Sequence, residues 1–418
     1  MNEHLRPSKR VGLPALVMAM GGALSPYISV SSADTLAEGT LNIRGTIGIE
    51  ARAFTMRPAY DGQDSSLVQL SATAAVKASW ASSDNSVVVD VAPFVRFDDT
   101  DSKRSHADLR EAAINLYGPN VDIRLGVSKI YWGVTESRQI VDVVNQSDLI
   151  ETPDGDEKLG QPMAMLRGRY EGVEATVVIL PVFRPRTFPS ASGRLRTALP
   201  IDTASTEYES GAETHRIDIA SRLKARIDDF DIGVSYFNGT SREPRFELTG
   251  SNLAPVYDVI DQLGIDIQAT LDDTLFKLEA ITRDGDQGVS ARRFSAVVAG
   301  VEHTISQVAE TAWDVGLVFE FAWDDRPSSA PPTIYDKDFF VGARFSFNDA
   351  GDSSGLLGAL FDPEKGSIYA TIEASARIDD SMRIELEGAL ALRVSDEDSV
   401  LRQFRDDSFI TVRFLHFL

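Results

Sequence analysis

The chain has 418 residues, 43% of them hydrophobic and 25% charged, and a formal net charge of −22. So acidic a balance argues strongly against nucleic acid as a partner. The absence of cysteine excludes a disulfide framework and a thiolate metal site.

At the N-terminus Arg6, Lys9 and Arg10 precede an apolar run from Val11 to Leu24, and Ser31-Ser32-Ala33 supplies small residues suited to cleavage. This is the pattern of a secretory signal peptide over residues 1–33. The run is short and broken by Pro14 and three glycines, which disfavours a membrane anchor. Three Arg/Lys against one Glu in this segment leave the remaining chain near −24. Residues 34–418 then read as a single domain, because no convincing amphipathic helix interrupts a succession of strand-like runs of about ten residues.

The runs begin with Leu41 to Ala53, Leu67 to Ala81, Ser86 to Phe97, Ala107 to Tyr117 and Val121 to Trp132, and end with Met382 to Val394 and Ser408 to Leu418. Short links, such as Glu171-Gly172, Asp228-Asp229 and Asp272-Asp273, alternate with long ones, such as 133–162, 182–215 and 239–263. A sandwich has no reason to sort its loops by parity, whereas an outer-membrane barrel has short periplasmic turns and long extracellular loops. The fold class predicted is therefore all-β, a transmembrane antiparallel β-barrel in a Gram-negative outer membrane. Seventeen runs are clear, and an even count requires one more. Gly355 to Phe361 is the apolar candidate between Asn348 and Gly366, which gives eighteen strands; sixteen is the alternative if it and a weak neighbour are loop. Phe417 is penultimate and Leu418 terminal, an imperfect version of the aromatic ending used in barrel insertion. Pro255 to Leu263 suggests a helical turn near the external mouth.

Trp313 to Trp323 is the clearest wall segment. Trp313, Val315, Leu317, Phe319, Phe321 and Trp323 alternate with Asp314, Gly316, Glu320 and other residues. Ten steps at about 3.3 Å, tilted by about 40°, project to about 25 Å, the height of a barrel's apolar band. Trp313 and Trp323 at its two ends suit the aromatic girdles at the interfaces.

The same alternation predicts the lumen. Arg216, Arg222, Lys224 and Arg226 fall on the polar face of one strand, and Arg124, Arg167 and Arg169 extend the basic patch across neighbouring wall. Glu320, Glu373, Glu385 and Glu387 face inward later in the chain. Rows of charge in a water-filled pore select ions by field. The 133–162 loop carries Asp142, Asn145, Asp148, Glu151 and Asp154, and is expected to fold inward as a constriction opposite the basic wall. Asp142, Asn145 and Asp148 suit a brace that satisfies loop amides, with Gly133 allowing a sharp change of direction. Arg184, Arg186, Arg194 and Arg196 follow in the next long loop.

No catalytic residue is predicted. The histidines after the leader, His106, His215, His303 and His416, show no metal-ligand spacing, and there is no G-x-S-x-G. A lipid-modifying enzyme using His106 or His215 at the rim is the minor alternative, and a non-conducting structural or adhesion barrel the main one. No cofactor or metal is expected.

Leu125-Gly-Val-Ser-Lys-Ile-Tyr-Trp-Gly133, followed by Asp142-Val-Val-Asn-Gln-Ser-Asp-Leu149 and Lys158-Leu-Gly-Gln-Pro-Met163, resembles uncharacterised proteobacterial outer-membrane barrel proteins of porin-like type. Arg184-Pro-Arg-Thr-Phe-Pro189, Gly239-Thr-Ser-Arg-Glu-Pro244 and Tyr257 to Gln268 are similar to that group as well. The alginate-export porins are a more distant likeness of architecture. The resemblance implies a channel of unknown substrate and transfers no catalytic residue; the charged lumen adds the expectation of small hydrophilic solutes, anions among them. Expected partners are outer-membrane lipid and lipopolysaccharide, the barrel-assembly machinery during insertion, and small solutes; a homo-oligomer is compatible with the architecture.

Overall fold

Strands that are apolar on one side only must bury backbone polar groups in neighbouring strands, and in a membrane the sheet has to close on itself. The computed structural model describes residues 39–285, 288 and 292–418, so the export segment expected at 1–33 lies outside the described residues. Eighteen antiparallel wall strands run in chain order: β1 (Gly39–Phe54), β2 (Val68–Ser82), β3 (Val87–Asp98), β4 (His106–Tyr117), β5 (Val121–Ser128), β6 (Gln161–Tyr170), β7 (Val173–Leu180), β8 (Asp218–Ile227) and β9 (Phe230–Thr240). They continue with β10 (Val259–Leu271), β11 (Thr274–Asp284), β12 (Phe294–Ile305), β13 (Asp314–Asp324), β14 (Lys337–Ser346), β15 (Ser354–Phe361), β16 (Ile368–Asp379), β17 (Met382–Arg393) and β18 (Phe409–Phe417). Each pairs with its sequence neighbours, and β18 returns to β1 with Phe414 opposite Ile49. The Leu418 amide donates to the Gly45 carbonyl at 2.9 Å beside this seam. No helix among the described residues is long and apolar enough to cross a membrane.

The eighteenth strand is the Gly355–Phe361 run, present as β15. Two expectations are corrected. Pro255–Leu263 is not helical: Asn252–Tyr257 pairs with Arg245–Thr249 in a small loop sheet joined by Glu207–Tyr208, and β10 starts at Val259. The fifth strand ends at Ser128 instead of Trp132, because residues 129–132 turn into the lumen.

The tightest turns, such as 118–120, 171–172, 228–229, 272–273 and 380–381, all lie on one rim and the longest loops, such as 129–160, 181–217, 241–258 and 394–408, on the other, which makes them the periplasmic and external rims. At the Glu171-Gly172 turn both residues have positive φ, 45° and 82°. That geometry matches the twist of the flanking strands. The external loops are numbered here in chain order; loop 3 joins β5 to β6 (129–160), loop 4 joins β7 to β8 (181–217), and loop 5 joins β9 to β10 (241–258).

Alternation separates the two faces of the wall. Ile49 is 60% exposed on the outer face while Glu50 beside it is 4% exposed within. Leu70, Phe97, Leu317, Phe319, Val341 and Leu357 join the outer set. Trp313 is exposed on that face and stacks edge-on against Phe347, with ring centroids 5.0 Å apart; Trp323 shares the outward parity of Phe319 and Phe321. An apolar outer face of this height is matched to the hydrocarbon core of an outer membrane.

The inner face departs from the expected polar surface. Met163, Met165, Val178, Leu180, Phe237, Ile281 and Val298 all point inward and are buried with Ile140, Val141, Val143 and Val144 of loop 3. The barrel therefore has a hydrophobic core inside it, and loop 3 supplies five of its sixteen buried residues.

Phe319 lies at the middle of β13 on the outer face. Replacing it with Arg should cost about 2–4 kcal/mol in a bilayer, read by denaturant unfolding in lipid vesicles, whereas Phe319→Leu should unfold close to the parent.

Candidate functional site

Loop 3 has its own architecture before it meets the wall. The Asn145 amide donates to the Ser128 carbonyl at 3.0 Å and the Leu159 carbonyl at 2.9 Å, and its oxygen accepts the Ile130 amide at 2.9 Å. One side chain thus ties the two roots of the loop together. Residues 146–159 form a small hairpin, with the Leu159 amide on the Gln146 carbonyl and the Asp148 amide on the Glu157 carbonyl, both at 2.8 Å. Lys129 pairs with Glu157 at its base.

Two wall carboxylates hold this loop across the lumen. Glu279 on β11 is fully buried and accepts the Val134 amide (2.6 Å), the Thr135 amide (3.0 Å) and hydroxyl (2.7 Å), and the Val141 amide (3.1 Å). Glu320 on β13 accepts the Glu136 amide (2.7 Å) and the Ser137 amide (2.8 Å) and hydroxyl (2.7 Å). Buried loop amides need acceptors, and a carboxylate with fixed rotamers satisfies several at once. Gly133 belongs to this clamp: its φ is 112°, and a Cβ there would come within 2.8 Å of Glu279 Oε1 and of Gln139 Cβ. It serves the close approach of the backbone to Glu279 within the loop, rather than the exit from the strand.

The hairpin itself reaches the opposite wall. Glu151 receives Arg96 Nε and Nη2 at 2.7 and 2.9 Å and Arg110 Nη2 at 3.2 Å, while Arg104 Nε donates to the Ile150 carbonyl at 2.8 Å. Arg96 and Arg104 also bind Glu50, at 3.1 and 2.6 Å. Burial alone would raise the Glu151 carboxyl, but the Arg96 hydrogen bonds and the charges of Arg96, Arg110 and Arg104 hold it below its ordinary range.

The expected constriction residues thus take three different places. Asn145 is the root brace. Asp142 and Asp148 are buried, with Asp148 accepting the Thr187 hydroxyl at 2.7 Å and Asp142 3.8 Å from Lys158; burial raises both carboxyls. Glu151 meets Arg96 and Arg110 and not the predicted ladder on β8, which corrects the expected opposition of loop acids and ladder. Only Asp154 reaches a solvent-lined part of the lumen, where carboxylate oxygens of Asp154, Asp156 and Glu373 on β16 approach within 4.8 Å of one another. Desolvation by the surrounding barrel wall, and then the charge of Asp156, raises Asp154 to about 6.

The other predicted residues sort as follows. Glu320 is 1% exposed and clamps the loop instead of lining a pore. Glu373 is half-buried beside the loop tip, and Glu385 and Glu387 flank Arg413, which also binds Glu50 at 3.0 Å. Of the basic residues, Arg124, Arg167, Arg222 and Lys224 share one cavity of about 290 Å³ beneath the root of loop 3. Arg169 pairs with Asp122 near the periplasmic rim at 2.5 Å, Arg216 precedes β8 and pairs with Asp218 at 2.7 Å, and exposed Arg226 stands opposite Asp231. The continuous ladder is therefore interrupted by cross-strand carboxylates.

Residues missed in the sequence carry much of the site: Glu279, the Glu50–Arg96–Arg104 group, and Arg242. Arg242 Nη1 binds Asp218 at 2.7 Å, its Nε donates to the Val144 carbonyl at 3.0 Å, and its guanidinium lies about 5 Å from the Phe183 and Phe237 rings. Inward parity alone would have nominated Glu50, Arg96 and Glu279. His106 has inward parity, its Nδ1 is 3.0 Å from the Arg104 carbonyl oxygen, and its Nε2 is 3.6 Å from Glu151, while His215 Nδ1 is 3.3 Å from the Thr214 hydroxyl.

Glu279→Leu should orphan four loop donors and release the segment 133–141, costing on the order of 3 kcal/mol; faster proteolysis and faster amide exchange of that segment are the expected readouts. Asp154 provides a pH test. Its proton is bound more readily in the docked loop than in a free chain, so docking strengthens as pH falls below about 6 and weakens as pH rises through the interval from the ordinary aspartate range to that value. Amide exchange of residues 150–158 should be slower at pH 4.5 than at pH 7, and Asp154→Asn should flatten the difference.

No family model matches the sequence, and no curated protein matches it. Among solved structures, a BenF-like porin from Pseudomonas fluorescens Pf-5 superposes with a TM-score of 0.53 at 10% identity, covering 91% of this chain and 98% of the other. Pseudomonas aeruginosa OpdO gives 0.53 at 9% identity, over 91% and 96% of the two chains. Wzi, an Escherichia coli outer-membrane protein described as a carbohydrate-binding β-barrel involved in group 1 capsule assembly, gives 0.52 at 10% identity, over 88% and 83%. At these identities the likeness is one of fold: with its apolar outer face and sorted loops, this chain is a closed eighteen-strand antiparallel β-barrel of the architecture seen in bacterial outer-membrane proteins.

Proposed function

We propose that the barrel is a passive channel for small hydrophilic solutes, with loop 3 setting its width. The observation that carries this reading is the unequal filling of the lumen. Loop 3 packs against the inner faces from β6 to β13, whereas the wall from β14 to β18 keeps charged side chains that water still reaches. Arg344, Glu373, Arg377, Arg383 and Glu385 are only half-buried there, and Asp154 and Asp156 are exposed at the loop tip. A charged, wet strip beside a fixed loop is what a size-limited polar route requires. Anion preference is part of the proposal and rests on the cations of β5, β6 and β8, which stand apart from the acidic tip.

A second reading is a non-conducting surface barrel, and the covering of the external mouth favours it. Arg194 of loop 4 is buried, donates to Asp407 at 3.0 and 2.9 Å and to the Met56 carbonyl at 3.0 Å, and Arg196 donates to the Asp61 carbonyl at 2.8 Å. Leu195 between them packs against Phe54, Ala389 and Phe409.

Planar-bilayer recording separates the two. The channel reading expects discrete conductance steps, a several-fold increase on deleting residues 150–160, and a reversal potential of anionic sign in a salt gradient. A silent barrel would leave the surface reading; steps that ignore the deletion would remove loop 3 as the constriction, and a cationic reversal potential would remove the anion preference.

A further inference from the structure

We infer that the cavity beneath the root of loop 3 binds a small organic anion with an apolar body, approached from the periplasmic side. The cavity lies at the periplasmic half of β5–β8, with residues 129–132 forming its roof. Its volume of about 290 Å³ is near the lower end for small-molecule sites. This deepens the channel reading by naming a ligand class, and rests on that reading only for the role of the ligand in permeation.

Charge is the first argument. Arg124, Lys129, Arg167, Arg222 and Lys224 line the cavity against one lining carboxylate, Glu174. Their pairing is incomplete. Arg124 spends its hydrogen bonds on neutral groups, Asn115 Oδ1 at 2.6 Å and Ser128 Oγ at 2.9 Å. Lys224 is 4.0 Å from Asp231, and Arg167 Nε is 3.5 Å from Glu174. Arg222 does bind Asp266 through Nη2 at 2.6 Å, and Lys129 is paired with Glu157.

Unused donors are the second argument. The Nε atoms of Arg167 and Arg222 are buried and make no hydrogen bond among the described residues. A buried donor without an acceptor is costly and is seldom left so. An anion bridging β6 and β8 would accept from both while neutralising the excess charge.

The third argument sets the rest of the ligand. Trp132 and Met165 are buried against the same cavity, and the Arg222 guanidinium lies 5.6 Å from the Trp132 ring. An inorganic ion would satisfy the cations and leave this apolar wall uncovered. A carboxylate or phosphate ester carrying a ring or short apolar body covers both.

Titration calorimetry on the detergent-solubilised full barrel, with phenyl phosphate, inorganic phosphate and phenol as probes, tests the site without requiring conduction. Phenyl phosphate should bind saturably and more tightly than inorganic phosphate, weaken with added salt, and phenol should not bind. Arg124→Gln and Lys224→Gln, neither of which strands a close carboxylate partner, should each weaken phenyl phosphate about tenfold. Arg226→Gln makes the same charge change outside the cavity and should leave affinity unchanged. Trp132→Leu should weaken phenyl phosphate and spare inorganic phosphate. Absence of saturable binding, or equal weakening by Arg226→Gln, overturns the site; equal affinity for the two phosphates overturns the apolar requirement. Binding without bilayer conductance would defeat the channel reading while leaving the site standing.

Discussion

The arrangement of the lumen depends on two buried carboxylates accepting the backbone of one loop. Glu279 and Glu320 stand on strands whose inward neighbours include apolar residues, and they turn seven loop donor contacts into a fixed crossing. Without them the amides from Val134 to Val141 would be buried and unsatisfied, and the loop would be more stable in water. With them, Ile140, Val141, Val143 and Val144 can enter the core. The clamp and the apolar contacts therefore require each other.

From that crossing the remaining features follow. The loop divides the lumen into a packed part, a cationic cavity beneath its root and an acidic strip at its tip. The segments that carry the family resemblance converge on it. Arg184 donates to the Gly160 carbonyl at 2.7 Å, Arg186 Nε to Gln146 Oε1 at 3.1 Å, and Thr187 to Asp148. Arg242 donates to Val144, and Glu243 receives Arg138, Arg283 and Arg326 at 3.0, 2.9 and 3.3 Å. Tyr257 accepts the Arg186 amide at 2.9 Å. Motifs scattered over more than a hundred residues thus build one object, the seating of loop 3.

Much of the barrel was legible because strand alternation has a period of two and needs no knowledge of the partner strand. The eighteenth strand was legible through parity, and the brace role of Asn145 through its side-chain chemistry. The site was less so. Glu320 and Glu373 have the same inward parity, yet one is a buried clamp and the other is half-exposed, because the loop passes over β13 and only its tip reaches β16. The apolar inward set of β6, β7 and β12 makes those strands hydrophobic on both faces, a pattern that charge alternation alone passes over and from which the filling of the lumen beside them could have been read.

The sequence by itself determined the closed antiparallel wall, the membrane-facing side of each strand and the rim on which the long loops lie, since each follows from local periodicity and loop length. Tertiary structure alone decided which inward charges remain available. Arg169 and Arg124 share a parity, but Arg169 meets Asp122 while Arg124 meets Asn115 and Ser128. Whether an inward charge is cancelled, used as a clamp or left for a ligand depends on register and on where a distant loop comes to rest, and neither is written in the spacing of one strand.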